Sequence, residues 1–264
     1  MRFEDRVLGR TGVTVGPLGI SASYGVPAAA VERAVDAGMT YVYWGSMRTP
    51  AFAEALRRLA PRRDRFALVV QSYARLASVL SWSVERALRR IGYDHADVLL
   101  LGYWNHGLRP RILEEARRLQ RRGLVNFLAV SSHNRPLAAS LAASGEFDVV
   151  HLRYNAAHPG AERDAFPLLP SAPRPGIVSF TGTSWGQLLN PKYTPEGERT
   201  PTAADCYRFV LSNPHVDVCA TGPASAAHVD EALAAREAGP MSPEELAWMK
   251  RVGAEVRRRA WLKQ

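Results

Sequence analysis

The sequence predicts an α/β fold, a (β/α)8 barrel in one domain over residues 1–264, with a short N-terminal β-hairpin and an extra C-terminal helix. Three observations predict it. Val98-Leu99-Leu100-Leu101 is an apolar run without alternation, the pattern of a strand covered on both faces. The chain then turns to Gly102-Tyr103-Trp104-Asn105-His106 and to a polar helical segment, Pro110 to Arg122. This strand, polar exit and helix recur along the chain, and helical return paths make the strands parallel. Finally, 264 residues that are 47% hydrophobic can bury one large core.

The elements follow in order. Arg6 to Pro17 alternates in short segments around Thr11-Gly12, which predicts the hairpin. Leu18 to Ser21 is the first strand, and Pro27 opens a helix through Ala37 with Gly38 as its stop. Tyr41 to Tyr43 is the second strand, exiting through Trp44 to Thr49 into a helix from Pro50 to Leu59. Phe66 to Val70 is the third, exiting through Gln71-Ser72-Tyr73 into Ser78 to Arg90. The fourth is the run at Asp97 to Leu101, whose helix stops at Gly123. Phe127 to Val130 is the fifth, exiting through Ser131 to Arg135 into a short helix, Pro136 to Ala143. Val149 to Leu152 is the sixth, exiting through Arg153 to His158. After a Pro-rich connection, Ile177 to Phe180 is the seventh, exiting through Thr181 to Gly186. Thr200 starts the next helix, Val216 to Ala220 is the eighth strand, and Thr221 to Ser225 leads to a helix ending at Glu237. Pro240 to Pro243 caps the extra helix. Eight such units make the TIM barrel.

The formal net charge is +9, and among the 34 basic residues only Lys192, Lys250 and Lys263 are lysines. The arginines sit singly or in pairs on helix faces among Glu and Asp, with no run longer than Arg257-Arg258-Arg259. Without aromatic residues interleaved, this reads as solvated helix surface and no nucleic-acid partner. Cys206 and Cys219 fall in a helix and an apolar strand, so two buried thiols are expected. A charged N-terminus and the lack of a long apolar run predict no signal peptide, no membrane span and a cytoplasmic protein.

In a (β/α)8 barrel the working groups sit at the C-terminal strand ends. Here those ends carry a small-molecule pocket of Trp44, Tyr73, Tyr103, Trp104, Asn105 and Trp185, beside Tyr43, Arg48, Gln71 and His133. Gly182 and Gly186 let a backbone approach a ligand, and Ser225 can cap a helix whose free N–H groups attract an anion. Ordinary turn chemistry accounts for the same glycines and the same cap. The ends offer no lysine, no carboxylate pair and no Cys/His spacing for a metal.

The chain resembles the aldo-keto reductase superfamily over most of its length. The matching pieces are Leu8-Gly9-Arg10-Thr11-Gly12, Glu85 to Gly92 with Asp97-Val98-Leu99-Leu100, Gly123-Leu124-Val125 with Val130-Ser131, Tyr154-Asn155, Trp185 to Leu189, Leu211 to Pro214, and Thr221-Gly222. The resemblance implies carbonyl reduction by NADP(H), with an aspartate, a tyrosine acid, a lysine and a histidine. Those positions hold Tyr43, Arg48, Gln71 and Gly102. A phenol left near its ordinary pKa of about 10 is a poor acid at neutral pH. On the cofactor side Ser131 matches a serine that holds the nicotinamide amide, His151 stands for its glutamine, and Phe180 matches the stacking aromatic. Asn155, Thr181, Gly182, Gly186, Gly222 and Ser225 complete the implied cofactor set, whereas the base for the 2′-phosphate falls at Ala224 and a late asparagine at Ala232.

Two readings follow from different classes. One is an aldo-keto-reductase-like barrel whose pocket is rebuilt for another ligand or reaction. There Arg48 is expected as anion clamp, Gln71 and Asn105 as polar orienters, Tyr43 and Tyr73 as walls or weak acids, and His133 as proton carrier. The other is an NADP(H)-dependent carbonyl reductase using substitute acids. A catalytically silent binding or regulatory barrel is a third reading, and the crowded polar strand ends count against it.

Overall fold

The computed structural model describes residues 2–45 and 48–261; Ser46 and Met47, in the exit of the second barrel strand, lie outside the described residues. A hairpin of β1 (Arg6–Val7) and β2 (Thr14–Val15) pairs Arg6 with Val15. Among the described residues, eight parallel strands then close a barrel in chain order. They are β3 (Leu18–Ser21), β4 (Tyr41–Trp44), β5 (Ala67–Ser72), β6 (Ala96–Leu101), β7 (Val125–Ser132), β8 (Val149–Arg153), β9 (Gly176–Phe180) and β10 (Val218–Thr221). The outer layer is α1 (Ala28–Asp36), α2 (Pro50–Arg58), α3 (Ala77–Ile91), α4 (Pro110–Arg121), α5 (Arg135–Ala143), α6 (Ala161–Asp164), α7 (Ala203–Leu211) and α8 (Ala226–Ala238). The extra helix is α9 (Pro243–Trp261). No described helix is long and apolar enough to cross a membrane.

Strand alternation divides the core in two. Inside the barrel lie Tyr41, Ala67, Val69, Val98, Leu100, Ala129, Val149, Val178 and Val218, with Leu8 and Val15 of the hairpin packed among them. The alternate residues, such as Val42, Leu68, Val70, Leu99, Val130 and Leu152, pack outward against the helices. Each large apolar side chain so buried contributes about 1.5–3 kcal/mol. The hairpin docks through Gly9, whose φ is +51°: a Cβ there would overlap Gly176 N and lie 2.7 Å from Arg174 O. Only glycine fits that contact.

Several predicted boundaries move. Several strands run past their last apolar residue, pairing Gln71 with Leu100, Ser131 with His151, and Arg153 with Phe180. At the open end of the barrel the ladder continues although the inward side chains have become polar. The last strand starts at Val218 rather than Val216, because Val216 N–H donates to Asn213 O in the preceding turn. Likewise α7 starts at Ala203, three residues after Thr200. Thr202 accepts from Asp205 N–H and Asp205 from Thr202 N–H, a capping box that sets the start. The short α6 has no counterpart in the sequence reading. Cys206 and Cys219 are free, buried thiols.

Candidate functional site

At the C-terminal strand ends the barrel opens into a cleft of about 560 Å³. Its floor is the uppermost inward layer: Ser21, Tyr43, Gln71, Leu100, Ser131, His151 and Ala220. Phe180 and His133 stand above it, with ring centroids 5.1 Å apart, and the Tyr103 ring meets His133 edge-on at 4.7 Å. Exposed aromatics form the rim, namely Tyr24, Tyr73, Tyr103 and Trp185. Aromatic surface left bare around a polar cavity is how a ligand groove looks.

The floor is held by buried polar pairs. Tyr41 OH and His151 Nε2 share a hydrogen bond of 2.7 Å. Burial drives the His151 pKa down to about 3, so the ring is neutral. Tyr43 OH donates to Gln71 Oε1, and burial, with Tyr73 adding to it, pushes the Tyr43 phenol well above its ordinary value. His133 is pushed down by burial and by Arg153, and His158 falls to about 4 for the same first reason.

The walls are strained and braced. Among the described residues, the non-glycine residues with positive φ are Tyr103, Thr181, Ser184 and Trp185, all in the loops of this end. Such conformations cost roughly 1–3 kcal/mol each and persist only where the surroundings impose them. Asn155 imposes one, because its Nδ2 donates to Thr181 O at 2.8 Å while φ of Thr181 is 58°. Asn105 braces the other wall. Its Oδ1 accepts from His133 N–H at 2.9 Å and its Nδ2 donates to Tyr103 OH at 2.9 Å.

The structure brings Tyr43, Gln71, His133, Tyr73, Tyr103, Trp185, Ser131, His151, Phe180, Thr181, Gly182, Gly186 and Gly222 onto the cleft. It leaves six sequence-expected residues off the lining. Arg48, expected as an anion clamp, does not line the cleft: its guanidinium donates to Gln71 O at 2.6 Å and Ser83 O at 3.2 Å, and lies 5.5 Å from the Trp44 ring. Trp44 follows the inward Tyr43, so alternation turns it to the helix side, where it is fully buried. Trp104 is buried under the Arg75 guanidinium, 4.0 Å away. Asn105 and Asn155 act behind the wall, as above. Ser225 caps α8 by accepting from His228 N–H. Ser21, Ser23, Tyr24, Tyr207, His228 and Glu231, not expected from the sequence, also line the cleft. Ser21 could have been found as the inward neighbour of Tyr43, with which it is in register; the helix residues carry no such signal. Among the described residues no group of His, Cys, Asp and Glu could hold a metal ion.

No family model matches this chain. No curated protein matches it either. Solved structures do. An aldo-keto reductase from Bacillus halodurans in its holo form superposes with a TM-score of 0.76 at 19% identity, covering 94% of this chain and 96% of that one. An aldo-keto reductase from Klebsiella pneumoniae in complex with NADP and acetate has a TM-score of 0.77 at 21% identity, covering 96% of both chains. Another structure of a Klebsiella pneumoniae aldo-keto reductase, in complex with NADPH, has a TM-score of 0.76 at 21% identity and the same coverage. At such identities the shared property is the architecture, and this chain has the fold of the aldo-keto reductases.

Proposed function

We propose that the cleft binds a nicotinamide dinucleotide together with a small organic ligand, and that the barrel is not a conventional carbonyl reductase. One observation carries the second half: the cleft presents no strong proton donor. The resemblance places Tyr43, Arg48, Gln71 and Gly102 at the four catalytic positions. Of these, Tyr43 already donates its hydrogen bond to Gln71 Oε1 and is made less acidic by burial. His133, the expected proton carrier, is pushed toward the neutral form by burial and by Arg153. Reducing a carbonyl requires a proton at the oxygen, and a buried phenol and a neutral imidazole supply it poorly.

The residues present fit one part of the cofactor well. Phe180 offers a ring face, and Ser131 and His151 offer polar atoms beside it for a carboxamide. Among the described residues the N–H groups of Gly182, Thr183 and Trp185 have no partner, and they suit phosphate oxygens. A bound nicotinamide would supply or accept a hydride at this face. The fit fails at a 2′-phosphate, since among the described residues no Arg or Lys lines the cleft while Glu231 does. That favours an unphosphorylated ribose.

The test is titration of the protein with NADH and NADPH, following nicotinamide fluorescence, and then mixing the loaded protein with aldehydes and ketones. Saturable binding without carbonyl-dependent oxidation is the expected result. No binding at about millimolar cofactor, the upper end of ordinary cofactor affinity, would remove the dinucleotide. Rapid oxidation of the cofactor by an aldehyde would instead make the barrel a reductase with substitute acids.

A further inference from the structure

Arg153 is the last residue of β8, two positions beyond His151. Alternation puts both on the inward side of the strand. It is in register with Phe180 on β9, and its guanidinium lies 5.7 Å from the centre of the Trp185 ring. Phe180 and Trp185 both line the cleft.

Among the described residues, Arg153 has no hydrogen-bond or ion-pair partner. The other arginine that acts on it, Arg135, is committed to Asp164 at 3.0 Å. The imidazoles nearby add polar atoms without negative charge. Among the described residues the ring nitrogens of His133 carry no hydrogen bond, and His158 shares one with Asn155 Oδ1 at 3.2 Å through Nδ1, leaving Nε2 without a partner there. A half-buried guanidinium loses hydration and recovers it best from an oxyanion, whose two oxygens match its planar fork. The surrounding rings give such an anion an apolar body to rest on. The two histidines are pushed toward the neutral form by burial and by Arg153, so at pH 7 they add little positive charge beside it. One cation suits a carboxylate better than a phosphate dianion.

We propose that Arg153 anchors a carboxylate-binding site at the mouth of the barrel, for a small molecule whose apolar or aromatic part lies against Trp185 and Phe180. This deepens the reading of the cleft as a small-molecule site and rests on it, but it does not depend on the dinucleotide.

The experiment is calorimetric titration of the full chain with benzoate, benzamide and benzyl alcohol at pH 7, for the wild type, Arg153→Gln and Arg153→Lys. Circular dichroism melting confirms that each variant is folded. Benzoate is expected to bind roughly tenfold or more tighter than either neutral analogue, the value of a charge-assisted pair. Arg153→Gln should remove that preference, and Arg153→Lys should keep part of it. Equal binding of benzoate and benzamide to the wild type would overturn the proposal, as would a benzoate preference that survives in Arg153→Gln. So would failure of all three to bind. In that last case a positive nucleotide titration would still leave the cofactor reading standing.

Discussion

The carboxamide of Gln71 occupies the space that a side chain at position 102 would need. A Cβ built on Gly102 would overlap Gln71 Nε2 and lie 2.8 Å from a Tyr73 ring carbon. The resemblance places a lysine and a histidine at these two positions, so the glutamine and the glycine are a matched pair, each fitted to the other.

The pairing has a measurable consequence. Gly102→Ala forces Gln71 aside and breaks its bond with Tyr43, and is expected to cost about 1–3 kcal/mol as an overpacked site. Gln71→Ala clears the space, so the same glycine substitution in that background should cost less. Urea unfolding of the single and double variants measures the coupling, expected at about 0.5 kcal/mol or more. Strict additivity would show that the two residues do not share this space.

Cofactor choice should follow charge at the α8 side of the cleft. NADH is expected to bind more tightly than NADPH, because Glu231 lines the cleft and, among the described residues, no Arg or Lys does. Ala224→Arg supplies the missing cation at an exposed position and should strengthen NADPH binding by about tenfold with little change for NADH. Nicotinamide fluorescence titration reads both constants. Tighter binding of NADPH by the unmodified chain would reject this account.

Asn155 should matter to binding without touching ligand. Its amide holds Thr181 O at 2.8 Å and its Oδ1 accepts from His158 N–H at 2.9 Å. Asn155→Ala leaves these groups without their partner at a buried position and is expected to cost about 1–3 kcal/mol of stability. Relaxation of the 181–186 loop should weaken dinucleotide binding as well. Thermal melting and the same fluorescence titration separate the two effects.

Stability should fall in acid partly through His151. Its folded pKa of about 3 lies below the ordinary histidine value of 6.5, so between those pH values the unfolded chain binds the extra proton. Stability from this group is therefore complete above about pH 6.5 and is lost as pH falls toward 3. His151→Gln, which keeps a polar partner for Tyr41, should have a flatter pH profile over that window when melting temperatures are compared. An identical slope in both proteins would assign acid lability to other groups.

The barrel is legible in the residue pattern alone. Uninterrupted apolar runs such as Val98 to Leu101, each followed by a polar exit and an amphipathic helix, have few other ways to bury themselves, and Leu18 to Ser21 was legible to the residue. The pattern also marked the end of the barrel where polar and aromatic groups gather. What it left open is which of them face the cleft. Trp44 and Tyr43 are adjacent and equally aromatic, yet the pleat sends one into the helix layer and the other into the site. Arg48 and Arg153 are both arginines at strand exits, but Arg48 is consumed by the carbonyls of Gln71 and Ser83 while Arg153 is left unpaired beside Trp185. Glu231 enters from α8, and nothing in local sequence marks a helix residue as part of a cleft formed by other strands. Periodicity is a local property carried by the chain, whereas the partner that satisfies or spares a charge comes from closing the barrel, and only the tertiary structure decides it.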